Sequence, residues 1–214
     1  MRVLTPARPR TAATAVLLLL LPVAGLAQSD AHHMDASKTS GPPTQAQVAF
    51  DAMKTLAGEW EGPVKADLPP EMRPKGDDPL KPLHVTMRVT SRGNTITHEF
   101  QEAGTLLDAA KYDHPVTMLY VDGDSLNLVH YCDAGNRPHM TGKISPDGKT
   151  LEFDFVELSG SNKHGHMHHA VFTLIDADHH IEEWTYMAPN DTPIHARMDL
   201  HRVSGSIAGA GGTQ

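Results

Sequence analysis

One cysteine, Cys132, stands in a chain of 214 residues, so no internal disulfide can staple the fold and stability has to come from an ordinary apolar core. Positive charge is scarce: 18 Lys and Arg face 26 Asp and Glu, for a net charge of -8, and no basic run breaks that pattern. An acidic chain of this kind repels phosphate backbones and anionic headgroups, which argues against nucleic acid or a membrane surface as partner. There is no Gly-x-Ser-x-Gly elbow, no Walker loop, no dinucleotide fingerprint, no His-Glu-x-x-His and no pair of Cys-x-x-Cys motifs. The chemistries that those motifs announce therefore have no basis here.

What the chain does have is histidine, fifteen in all. Imidazole is the commonest protein metal ligand and titrates nearest to neutral pH. His130-Tyr131-Cys132 ends one strand-like run, and Gly165-His166-Met167-His168-His169 opens another.

The first residues read as a secretory signal: Arg2, Arg8 and Arg10 form a cationic start, and residues 12–21 an apolar stretch too short for a membrane span. Gly25-Leu26-Ala27 offers the small residues of a cleavage site, placing the signal at residues 1–27. Its removal takes three arginines and no acid, leaving the chain more acidic. The expected location is periplasmic or secreted, with no membrane attachment after cleavage. Residues 28–43 lack an apolar period and read as a disordered leader, and residues 205–214 as a flexible Gly/Ala/Ser tail. A single domain is expected over residues 44–204.

Within it, Val48, Met53, Leu56 and Ala57 have the spacing of one short helix. Beyond that, apolar alternation and turns predict strands over residues 83–91, 95–102, 116–121, 126–132, 138–144, 149–158, 166–175, 181–187 and 194–203. Asp122-Gly123-Asp124, Ser145-Pro146-Asp147-Gly148 and Asp176-Ala177-Asp178 mark tight connections. The fold class is all-β: an antiparallel up-and-down closed barrel of about ten strands, since so long a meander leaves edges unless it curls shut. The proline-rich residues 63–82 are expected to form mostly a loop over one barrel mouth.

Strand parity then selects the site. His130 shares a face with Leu126, Leu128 and Cys132; His166 and His168 with Ala170 and Phe172; His180 and Glu182 with Trp184 and Tyr186. If these faces look inward, His130, His166, His168, His180 and Glu182 converge as ligands for a transition metal. The walls of a small-molecule pocket are expected from His130, Cys132, Trp184, Tyr186, Phe153, Phe155, Met118 and Tyr120. A third arrangement makes Glu182 the base of a metal-assisted reaction; a non-catalytic binding role is preferred. Cys132 is expected to be buried and inert.

Leu56-Ala57-Gly58-Glu59-Trp60-Glu61-Gly62 resembles the Gly-x-Trp entry of lipocalin-like (calycin) barrels, in which the tryptophan closes one barrel end; the resemblance extends over nearly all of residues 46–203. His130-Tyr131-Cys132, Gly135-Asn136-Arg137-Pro138, Gly165-His166-Met167-His168 and Glu182-Glu183-Trp184 together resemble a group of exported bacterial lipocalin-like proteins of unassigned function. That resemblance implies fold and export but no activity. Gly58-x-Trp60-x-Gly62 and His195, followed by Leu200 and Arg202, are similar to the nitrobindins, ten-stranded barrels that bind haem through a histidine near the last strand. This implies haem as the alternative cofactor, with His195 as ligand. Two departures stand against it: Pro63-Val64-Lys65 replaces the further glycines of that family, and Ala196, Met198 and Leu200 form a core face that turns His195 outward.

Overall fold

The computed structural model describes residues 41–73 and 80–203. The expected signal, nearly all of the leader and the tail lie outside these residues. The short helix α1 (Gln45–Lys54) is capped by Thr44, whose hydroxyl accepts from the Gln47 N–H at 3.2 Å. Ala46, Ala49, Phe50 and Met53 form its buried stripe. The strands follow as β1 (Gly58–Gly62), β2 (Val64–Ala66), β3 (Leu83–Thr90), β4 (Thr95–Glu102), β5 (Val116–Asp122), β6 (Ser125–Tyr131), β7 (Arg137–Ile144), β8 (Thr150–Ser159), β9 (His166–Asp176), β10 (His179–Met187) and β11 (Pro193–Arg202).

From β3 onward each strand pairs antiparallel with the next, and β1 pairs with both β3 and β11. That last pairing shuts the sheet into a closed antiparallel barrel and removes its edges. β2 resumes the line of β1 after Pro63 and pairs only with β11, so β1 and β2 make one interrupted wall of a ten-stranded barrel. Gly62 sits at the interruption because nothing larger fits: a Cβ there would meet the Asp199 carbonyl oxygen at 1.8 Å.

Trp60 closes one end of the barrel. It is fully buried, and its indole N–H donates to the Leu56 carbonyl at 2.8 Å. The Arg202 guanidinium lies 4.0 Å over its ring and donates to the carbonyls of Thr55, Ala57 and Ala177. Above this floor the core is solid, with Met87, Ile96, Leu119, Leu128, Met140, Phe153, Phe172 and Leu200 essentially inaccessible. Phe153 is therefore core filler, packed edge-on to Phe172 at 5.9 Å and lying where Gly142 leaves room for it. It is not a pocket wall.

Two further expectations of facing do not hold. In β5 the buried positions are Thr117 and Leu119, so Met118 and Tyr120 belong to the outer face. Both are apolar enough to read as core, but the neighbouring Thr117 is wanted inside by His130, and period 2 then sends Met118 and Tyr120 out. In β9 the register shifts between Thr185, opposite His169, and Tyr186, opposite Met167. This bulge at His168 brings Met167 rather than His166 beside Tyr186 and breaks the simple alternation expected for the His-rich strand.

Candidate functional site

Two polar regions stand out, one sealed in the barrel and one at its mouth. The deeper one is built on Glu182, completely buried on β10. Its carboxylate accepts from the Nε2 of His98 at 3.0 Å, the Nε2 of His180 at 3.0 Å and the indole N–H of Trp184 at 2.9 Å. His98 and His180 are themselves completely inaccessible. Burial alone would raise the Glu182 pKa, but the charge on His98 and the hydrogen bonds from His180 and His98 outweigh it and hold the carboxylate well below its usual range. Both oxygens are committed and sealed, so Glu182 has no free face to take a proton from a bound water. His180 also meets the Trp60 ring edge-on at 4.2 Å, which ties the cluster to the barrel floor.

The second region is the mouth. A half-open cavity of about 350 Å³ is walled by Phe100, Met167, Trp184, Tyr186, Ile194 and Ala196, with Leu68 and Met72 of the proline-rich segment over it. The described part of that segment thus does approach one mouth. His130 also lines this cavity. It is 1% exposed; its Nδ1 shares a hydrogen bond with the Thr117 hydroxyl at 2.9 Å, and its Nε2 has no protein partner. Burial, and secondarily the nearness of His98, push its pKa down to about 3, so the ring is neutral at physiological pH. A buried nitrogen without a partner costs roughly 1–3 kcal/mol, which a ligand could recover.

Cys132 also lines the mouth, half-buried, and burial followed by the charges of Asp113 and Asp133 raises its pKa. It is a thiol, not a thiolate, and a poor nucleophile. The Asp113 carboxyl at the rim is itself raised, by burial and by Asp133 beside it. Tyr186 has its pKa raised by burial and by Cys132 and Asp133, and its hydroxyl donates to the His164 carbonyl. A Cβ at Gly165 would meet the Met187 carbonyl oxygen at 2.4 Å, so the loop before β9 can lie this close only with glycine there. The same loop is pinned by the Asn136 amide, buried and donating to the carbonyls of Ser161 and Gly165.

The expected ligand set is therefore divided. His180 and Glu182 meet, joined by His98, which sequence reasoning missed; its strand carried no assigned face, although alternation with the buried Ile96 would have placed it inside. His130 stands at the mouth. His166 and His168 pair with each other, Nε2 to Nδ1 at 3.0 Å, and pack on Phe155 with ring centroids at 4.8 Å. The five residues do not form one metal centre. Of the expected pocket walls, His130, Cys132, Trp184 and Tyr186 line the mouth together, while Phe153, Phe155, Met118 and Tyr120 do not. His195 is exposed on the outer wall, its Nδ1 bonded to the Thr185 hydroxyl at 3.0 Å. A haem inside the barrel ligated by His195 does not fit that orientation.

No protein-family profile and no curated protein matches the chain. Among solved structures it is similar to Rv2717c from M. tuberculosis, with 19% identity and a TM-score of 0.52 over 72% of this chain and 97% of that one. It is also similar to a DUF3598-family protein from Nostoc punctiforme PCC 73102 whose function is unknown, with 12% identity and a TM-score of 0.36 over 77% of this chain and 53% of that one. The likeness to Rv2717c shows a shared fold and nothing finer.

Proposed function

We propose that the protein is an exported, non-catalytic binding barrel. It takes a small, mostly apolar ligand into its mouth cavity and anchors one polar group of that ligand on Nε2 of His130. The observation that carries this reading is the buried, partnerless Nε2 of His130, a residue that lines a largely apolar and aromatic cavity. The cavity volume lies near the lower end of the range for small-molecule sites, which run from about 300 to 1,000 Å³ and combine apolar walls with a few placed polar groups. Asp113 and Asp133 at the rim favour a neutral or cationic ligand over an anion.

Native mass spectrometry of protein purified from the exported fraction of its own host tests the proposal. The wild type is expected to carry a bound small molecule, and His130→Ala to lose it without loss of fold. Trp184 lines the cavity and Trp60 does not, so re-adding the extracted compound should quench only part of the tryptophan emission. A compound that stays bound in His130→Ala, or quenching that persists in Trp184→Phe, overturns the assignment. Haem titration separates the haem alternative: a Soret band abolished by His195→Ala would contradict the outward orientation of that ring.

A further inference from the structure

The outer wall carries a second arrangement, independent of the mouth cavity. His179 on β10 and His201 on β11 face each other directly in the strand register. Their rings stack with centroids 4.3 Å apart and planes 18° from parallel. Asp199, two residues before His201 and on the same face, brings its Oδ1 to 2.8 Å from the His179 Nε2 and 3.6 Å from the His201 Nε2. All three groups reach solvent, with side chains 25%, 44% and 64% exposed for His179, Asp199 and His201. The register continues the row: His201 lies opposite Glu61, and Glu61 opposite His84, so a further carboxylate and imidazole stand next along the same face.

Two imidazoles and a carboxylate are the ligands of a borderline divalent transition ion. Around an ion bound at about 2.0–2.1 Å, ligand atoms in a tetrahedral site stand about 3.4 Å apart. The two measured nitrogen–oxygen separations bracket that spacing, so small rotations of exposed side chains suffice to admit an ion. Strands hold the three residues, and the cross-strand pairing fixes their backbones. A comparable group on the same wall, Glu152, Asp154 and His169, is already neutralised by Lys143, whose ammonium lies 3.3 Å from each carboxylate. No lysine or arginine pairs with Asp199 among the described ion pairs.

We propose that His179, Asp199 and His201 form a surface site for a divalent transition ion of the copper or zinc class, with water completing the coordination. Imidazole affinity for such ions orders copper above zinc, so Cu²⁺ is the sharper probe. Full-length protein made without an affinity tag and stripped with a chelator would be titrated with Cu²⁺ and followed by calorimetry and electron paramagnetic resonance. The wild type should bind an equivalent of Cu²⁺ with nitrogen hyperfine structure from two imidazoles. His179→Gln with His201→Gln should lose that signature and weaken the affinity at least tenfold, and Asp199→Asn should weaken it several-fold. His169→Gln should leave it unchanged. Unchanged melting temperatures of the metal-free variants would show that the fold is intact. Affinity within twofold of wild type in the double variant, or an unchanged nitrogen signature there, overturns the site and reduces the cluster to an ion pair.

Discussion

Glu182 and His130 project into the same barrel from facing walls and sit in neighbouring layers, yet they differ in how completely they are bonded. The Glu182 carboxylate accepts three hydrogen bonds and has no exposure. His130 is nearly as deeply buried but keeps one nitrogen without a partner and lines a cavity. The lesson is that residue type, burial and an unpaired nitrogen do not by themselves separate structural polar groups from binding groups; an adjoining cavity does. His98 and His180 in the Glu182 cluster also each keep a buried Nδ1 without a protein partner, but they are sealed in the core, whereas His130 lines a cavity that a ligand can enter.

The largest expected effect tests the buried carboxylate. Glu182→Ala strands the donors of His98, His180 and Trp184 and should destabilise the protein by about 3–5 kcal/mol, as breaking a buried charged network does. Urea denaturation measures it. Replacing His98, His180 and Glu182 together by Leu should recover most of that loss, because a well-packed apolar trio leaves nothing unpaired. A cost below about 1 kcal/mol for Glu182→Ala would erase the contrast drawn here.

The next effect is in pH. His130 has its folded pKa lowered from 6.5 to about 3, so the unfolded chain binds the proton more readily. The stability from its neutral form is whole above pH 6.5 and declines as the pH falls toward 3, with a slope of at most about 1.4 kcal/mol per pH unit. Glu182, its pKa lowered, adds loss of the same sign as the pH falls into the ordinary carboxylate range and below it. Denaturation midpoints measured from pH 7 to pH 4 should therefore fall, and His130→Leu should flatten the upper part of the curve. A curve identical in the variant would show that His130 is not kept neutral by its surroundings. The smallest effect belongs to Thr117→Val, which removes the hydroxyl that orients His130; a cost of about 1 kcal/mol is expected, with a larger proportional loss of ligand affinity than of stability.

Much of the architecture was legible because turns and alternation are local signals. Asp122-Gly123-Asp124 and Ser145-Pro146-Asp147-Gly148 connect strands as their residues demand, and Gly58-Glu59-Trp60 puts the tryptophan where a barrel end needs a plug. The site was harder to read, for physical reasons. A bulge adds one residue without changing composition, so the shift at His168 could not be seen in the pattern His166-Met167-His168-His169. Met118 and Tyr120 read as core by hydrophobicity, but their facing is decided by the non-local bond between Thr117 and His130. His98 meets Glu182 across 84 residues of sequence, a proximity that only the closed barrel creates.

That closure has a kinetic consequence. The Arg202 guanidinium reaches the carbonyl of Thr55 across 147 positions and that of Ala57 across 145, and β1 finds its second neighbour only in β11. The clasp that seals the cylinder thus joins parts of the polypeptide made at nearly opposite times. Until the last strand is delivered, β1 keeps a naked edge and Trp60 lacks its cationic lid. Such long-range pairing slows folding and leaves a sticky interval, so a chain in which β11 has not yet docked is the species most exposed to aggregation.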